Sequence, residues 1–166
     1  DEANSPDSPR TRAIVDNISV GFMGEPDDVA HAVGFLTSDR ARFVTGHGIE
    51  GDHHYTDREE RSGYQVLVIE RETLDELDIS IGDVRENVTV SGIELSPLRA
   101  GQRLALGDRV VLRISKPCAP CSRMDEVRSG LQRELEGRRG MLASVEHGGS
   151  VAIGDTIHVL EAAPPG

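Results

Sequence analysis

The stretch Leu104-Ala-Leu-Gly-Asp108, running straight into Arg109-Val-Val-Leu-Arg-Ile114, reads as two β-strands joined by a tight turn. Apolar residues at every second position bury one face of a strand. Gly-Asp suits the junction, because glycine tolerates positive φ and aspartate bonds its own local backbone. The same device recurs in Val151-Ala-Ile-Gly-Asp155, which leads into Thr156-Ile-His-Val-Leu160, and in Ile79-Ser-Ile-Gly-Asp83. Working outward, further strands are predicted over Ala13–Val20, Tyr64–Glu70, Val84–Val90, Arg103–Leu106, Arg109–Ser115, Met141–Glu146 and Ser150–Leu160. Many short strands with regular turns point to a mainly β fold of the barrel or sandwich kind.

Helical periodicity is confined to Asp27–Thr37, the short Arg71–Leu77, and Ser122–Leu135. In the last, Met124, Val127, Leu131 and Leu135 form one stripe behind a Ser122 N-cap. Residues 1–10, rich in Pro, Ser and Asp, read as a disordered tail, and 162–166 as a frayed end, leaving one domain over 11–161.

Composition narrows the class of function. The 166 residues are 37% hydrophobic and 28% charged, enough for a folded core, yet only 3% aromatic with no Trp. That core is therefore built from Val, Ile, Leu and Ala. The net charge of −11 argues against nucleic acid or an anionic membrane surface as the main partner. The charge is uneven: residues 1–94 carry −13 and residues 95–166 carry +2. A small anion can thus find a positive site in the second half. Lys116 is the one lysine; every other basic residue is Arg, which suits bidentate anion contacts. No stretch reaches the roughly 18–20 apolar residues of a membrane span. No signal peptide and no secreted disulfide framework are recognisable, so a cytoplasmic location is expected.

Four groups of residues could carry chemistry. Cys118-Ala-Pro-Cys121 ends a strand and leads a predicted helix, whose dipole and free N–H groups favour a thiolate. It could be half a zinc site completed by histidines, a dithiol redox pair, a single reactive or soft-metal-binding thiolate, or two buried cysteines acting as small apolar residues. Gly46-His-Gly-Ile-Glu-Gly51-Asp52-His53-His54 combines glycines that permit close ligand approach with polar groups; solvated histidines are its bland reading. Asn87, in Arg85-Glu-Asn-Val-Thr89, needs an amide partner if buried. Arg138-Arg139-Gly140 is either a phosphate clamp or a basic helix end before glycine.

Taken in order, Gly48-Ile-Glu-Gly-Asp52, Tyr64-Gln-Val-Leu-Val-Ile69, Gly82-Asp-Val-Arg-Glu-Asn-Val-Thr89, Leu104–Asp108, Pro117-Cys-Ala-Pro-Cys-Ser-Arg-Met124, Arg139-Gly140 and Val151–Asp155 resemble the MOSC domain, the family of the molybdenum-cofactor sulfurase C-terminal domain. The resemblance covers about residues 46–160. It implies a MOSC-type β-barrel with a few helices and a molybdenum cofactor (molybdopterin) whose metal is held by Cys121. Cys118 matches a variant with a second cysteine, and both are candidate catalytic residues. Gly51, Asp52, His53, Arg85, Asn87 and Arg139 are implied as lining the cofactor pocket. The activity implied is reduction of an N-hydroxylated or related small substrate with a separate electron-donor protein, or sulfur transfer. A cofactor carrier without catalysis, and a thiol or zinc site without molybdenum, are the alternatives. Pyridoxal phosphate is not expected as a Schiff base. Residues 24–46 resemble instead a C-terminal segment of short-chain dehydrogenases. The Gly-rich dinucleotide loop and Tyr-x-x-x-Lys pair of those enzymes are absent, which excludes their chemistry.

Overall fold

The computed structural model describes residues 40–52, 55 and 63–160. The predicted strand Ala13–Val20, the predicted helix Asp27–Thr37 and both tails lie outside these residues. The order of elements is β1 (Arg40–Val44), β2 (Gly48–Ile49), β3 (Val66–Glu70), α1 (Arg71–Glu76), β4 (Val88–Val90), β5 (Arg103–Leu106), β6 (Val110–Pro117), α2 (Met124–Val127), α3 (Leu131–Glu134), β7 (Met141–His147), β8 (Gly149–Ala152) and β9 (Ile157–Leu160).

A six-stranded sheet in the order β4-β3-β7-β6-β5-β9 curls into a half-barrel, and a three-stranded sheet β2-β1-β8 sits with it. All pairings are antiparallel except β3 with β4. The hairpin expected at Leu104–Ile114 is present, with Leu106 opposite Val110 and Gly107 left-handed at φ 57°. Two of the Gly-Asp turns meet in space, because β9 pairs with β5. Gly107 N–H donates to Thr156 O at 2.8 Å, and a Cβ on Gly107 would lie 2.9 Å from Asp155 Oδ2.

The sheet separates two apolar clusters. The larger includes Phe43, Ile49, Val66, Val68, Leu104, Leu112, Ile114, Ala143 and Val145; the smaller is Ile69, Leu74, Ile79, Val84, Met124, Leu131 and Leu135. Strand β3 is covered on both faces, which is why Val66-Leu-Val-Ile69 is continuously apolar rather than alternating.

The sequence expectation and the structure differ at three places. Ser122–Leu135 is not one helix but two single turns. Arg128 is extended (φ −156°, ψ 132°) and Gly130 is left-handed at φ 87°, so the hydrogen-bond ladder breaks there. Met124, Leu131 and Leu135 still bury together, while Val127 turns outward. Ser122 makes no cap; Arg123 occupies that position without a side-chain cap bond. Within Val84–Val90 only the last three residues pair as a strand. Ser150–Leu160 divides into β8 and β9, because its Gly-Asp turn passes the chain from one sheet to the other.

Candidate functional site

Register brings the expected residues together. Across the half-barrel, Met141 of β7 lies opposite Val68 of β3 and Pro117 of β6. The residues just before β7, Arg139-Gly140, therefore meet the residue just after β6, Cys118. Cys118 N–H donates to Gly140 O at 2.9 Å. Gly140 lies so close to β3 that a Cβ there would sit 2.0 Å from Val68 O, and its φ is 81°.

On the other flank of β3, Val88 lies opposite Val68, so Asn87 comes alongside Leu67. Asn87 is not mid-strand as the sequence reading has it, but it is fully engaged. Its N–H donates to Leu67 O at 3.0 Å, its Oδ1 accepts Leu67 N–H at 2.7 Å, and its Nδ2 donates to Asp52 Oδ2 at 2.9 Å. Its amide thus continues the β3–β4 ladder one step further and fastens the turn after β2 to it. Gly51, at φ 82° with open space around it, shapes that turn rather than approaching a neighbour. His53 lies outside the described residues.

Arg139 joins the two halves. Nη1 donates to Ala119 O at 3.0 Å, inside the cysteine loop, and Nη2 donates to Val84 O at 3.2 Å. Its Nε is buried with no hydrogen-bond partner. Its neighbour Arg138 turns away to an ion pair with Glu76, so no twin-arginine clamp forms. Arg85, next to Val84, is exposed and left-handed at φ 60°, and its side chain has no partner among the described residues.

The two cysteines differ. Cys118 is buried and Cys121 is exposed, and both are free thiols. Burial pushes the Cys118 thiol up, and the Arg139 guanidinium pulls against that. Burial therefore disfavours the Cys118 thiolate relative to a solvated thiol. Cys121 precedes α2, where its carbonyl accepts Met124 N–H at 2.9 Å. Among the described residues no group of three or more His, Cys, Asp or Glu is placed to hold a metal ion, so nothing there completes a zinc site around the pair.

Three residues with polar roles were not singled out from the sequence. Glu86 closes the loop before Asn87, Glu70 Oε1 accepts Leu95 N–H at 2.7 Å, and Gln65 is a fully buried amide. The last two lie in or beside the apolar β3 run, where their spacing looks like ordinary strand alternation.

These features define a class: a β half-barrel whose strand ends carry a cysteine loop with one exposed thiol and one arginine, Arg139, tied to that loop. The MOSC domain model matches residues 50–158, more than half of the sequence, and the chain belongs to that family. The YuaD protein of Bacillus subtilis is similar in structure, with TM-score 0.64 and 26% identity over 74% of this chain and 85% of that one. YiiM of Escherichia coli shares the fold, with TM-score 0.58 and 19% identity over 76% of this chain and 64% of that one. A short stretch is also similar to a different class. It is 57% identical over 37 residues to a 3-oxoacyl-(acyl-carrier-protein) reductase of Rickettsia conorii, covering 22% of this chain and 15% of that protein. A second such match, 43% over 47 residues, is an acetoacetyl-CoA reductase of Shinella zoogloeoides, of which the chain covers 20%. The chain therefore spans a small part of these reductases. No helix among the described residues is long and apolar enough to cross a membrane.

Proposed function

We propose that this chain binds molybdenum cofactor, with the metal held by the Cys121 thiolate, and reduces an N-hydroxylated or related small molecule. The observation that carries the reading is the division of labour between the two cysteines. One thiol is exposed at the strand ends, while its neighbour is buried, which pushes its thiol up. The donor set fits the group. A soft thiolate suits molybdenum, and arginine suits the phosphate of a pterin. Among the described residues, Arg139 has a buried Nε without a partner and Arg85 an exposed guanidinium without one. Asn87, two residues after Arg85, is hydrogen-bonded to Asp52, and His53 follows Asp52 in the chain.

When bound, the cofactor supplies two-electron redox chemistry. The protein's own residues hold the ligand, bring positive charge to its phosphate and present it at a solvent-open loop. The overall conversion is R–NHOH with two electrons and two protons to R–NH2 and water, the electrons coming from a separate donor protein. Sulfur transfer through a Cys121 persulfide is less favoured, because a resolving thiol must reach the persulfide as thiolate and Cys118 is buried. The setting we assign is cytoplasmic, with neither nucleic acid nor a membrane as partner.

Turnover separates an enzyme from a cofactor carrier. Cofactor-loaded protein supplied with reduced methyl viologen is expected to convert an N-hydroxylated amidine to the amidine, and Cys121→Ser to abolish this. Cofactor retention with no turnover on a panel of such substrates would mark a carrier.

A further inference from the structure

The loop between α1 and β4 carries two features that bear on how Arg85 is presented. Arg85 is a non-glycine residue at φ 60°, a conformation that is strained when nothing local compensates, and its guanidinium has no partner among the described residues. Beside it, Glu86 Oε2 is buried with no hydrogen-bond partner. Unpartnered buried carboxyl oxygens are rare and call for a cause.

The two features share one geometry. Glu86 Oε1 accepts Gly82 N–H at 2.6 Å and lies 3.3 Å from the Thr89 hydroxyl, which donates to it. Arg85 N–H donates to Gly82 O at 2.9 Å. The carboxyl therefore plugs the turn from inside, and with Asn87 anchored to β3 on its far side, Arg85 is left facing outward. Val84, the residue before it, gives its carbonyl to Arg139, so the two arginines meet through one residue of backbone. The groups that face Glu86 are the Gly82 N–H and the Asp83 carboxylate from its own loop and the Thr89 hydroxyl from β4. No cation is among them.

We propose that Glu86 is a positioning residue whose carboxyl, buried in the turn, holds Arg85 outward to take an oxyanion of the ligand. The part concerning Arg85 rests on the cofactor reading above; the part concerning the loop does not. Burial raises the Glu86 carboxyl above the ordinary glutamate range, which keeps it neutral further up the pH scale. Because the folded value is the raised one, this favourable contribution is complete below the unfolded value near 4.5 and is lost as pH rises through the folded value. Above that, an ionised carboxylate with one oxygen unsolvated loosens the turn, and Arg85 loses its fixed direction.

The test uses the protein without cofactor and sulfate as the anion, since sulfate does not titrate in the range used. Amide NMR follows Gly82 and Arg85 from pH 4.5 to 8, with sulfate titrated at each pH. In the wild type, the Gly82 amide is expected to titrate with a midpoint above that of ordinary glutamates. Sulfate affinity at Arg85 should fall roughly threefold or more across it, as the competent loop is depopulated. Glu86→Gln, neutral at every pH, is expected to keep the low-pH affinity throughout. Arg85→Gln should abolish the sulfate response while leaving the Gly82 titration intact. The histidines are common to all variants, so their titration cancels in the comparison. A sulfate affinity whose pH dependence is the same in wild type and Glu86→Gln overturns the proposal. A Gly82 titration that proceeds normally with no sulfate response at Arg85 overturns the anion role alone. Neither result depends on molybdenum, so failure of the cofactor reading is read separately from metal content.

Discussion

Gly140→Ala is expected to cost about 4 kcal/mol of folding stability, a large share of the roughly 5–15 kcal/mol that a domain possesses. Two effects add. The new Cβ would lie 2.0 Å from Val68 O and 3.0 Å from Ile69 Cα, so the β3 backbone, not a flexible side chain, has to give way. Overpacking of that kind costs about 1–3 kcal/mol. The residue also sits at φ 81°, where a side chain adds strain on the order of 1–2 kcal/mol. The damage falls at the site, because Gly140 O receives Cys118 N–H and the preceding Arg139 ties the cysteine loop to Val84. Gly92→Ala is the control. Its φ is 73° but nothing lies within 4 Å of the added Cβ, so only the strain should appear. Urea denaturation of both variants checks this. A Gly140→Ala loss no larger than that of Gly92→Ala would show that β3 and the start of β7 are not packed as described.

Gln65→Leu is expected to cost about 3 kcal/mol with little change in side-chain volume. Gln65 is 1% exposed, and its Oε1 accepts Val145 N–H at 3.0 Å while its Nε2 donates to Gly46 O. The amide therefore stitches β7 to the β1–β2 turn, beside the bond from Gly46 N–H to Val145 O. Leucine leaves the buried Val145 N–H unpaired, at about 1–3 kcal/mol, and removes the tie to the Gly46 carbonyl on the exposed β1–β2 turn. A urea midpoint lowered with an unchanged slope is the expected result. Unchanged stability would mean that water or a shifted turn replaces the amide, and that the joint between the two sheets is looser than the hydrogen bonds indicate.

These two residues show where legibility in the sequence ends. Arg138-Arg139-Gly140 reads in the sequence as a phosphate clamp or a basic helix end, whereas the close approach of Gly140 to Val68 O depends on β3 lying beside it and is not readable there. Gln65 sits in Tyr64-Gln-Val-Leu-Val-Ile69 as an apparent outward polar position, and only the three-dimensional neighbour at position 145 makes it an interior one. The Gly-Asp turns are local chemistry, so the β5–β6 hairpin and the β8–β9 turn are readable from the chain. That one Gly-Asp turn carries the strand into a different sheet is set by long-range pairing and is not readable. The Ser122–Leu135 stripe has the right period but the wrong continuity. Its apolar residues face one cluster whether or not the helix breaks, and Gly130 decides that it breaks. At the site, Cys118 and Cys121 are equivalent by spacing. Burial, a consequence of where β6 ends against Gly140, separates them.

The central claim, that Cys121 alone holds the metal of a molybdenum cofactor, is tested most directly by molybdenum and pterin content. Wild type, Cys121→Ser and Cys118→Ser would each be purified from a cofactor-competent host, with folding of each variant verified by its denaturation midpoint. The expected result is near-stoichiometric molybdenum in the wild type, molybdenum lost in Cys121→Ser, and molybdenum largely kept in Cys118→Ser. Absence of molybdenum from folded wild-type protein, or equal retention by Cys121→Ser, would contradict the account.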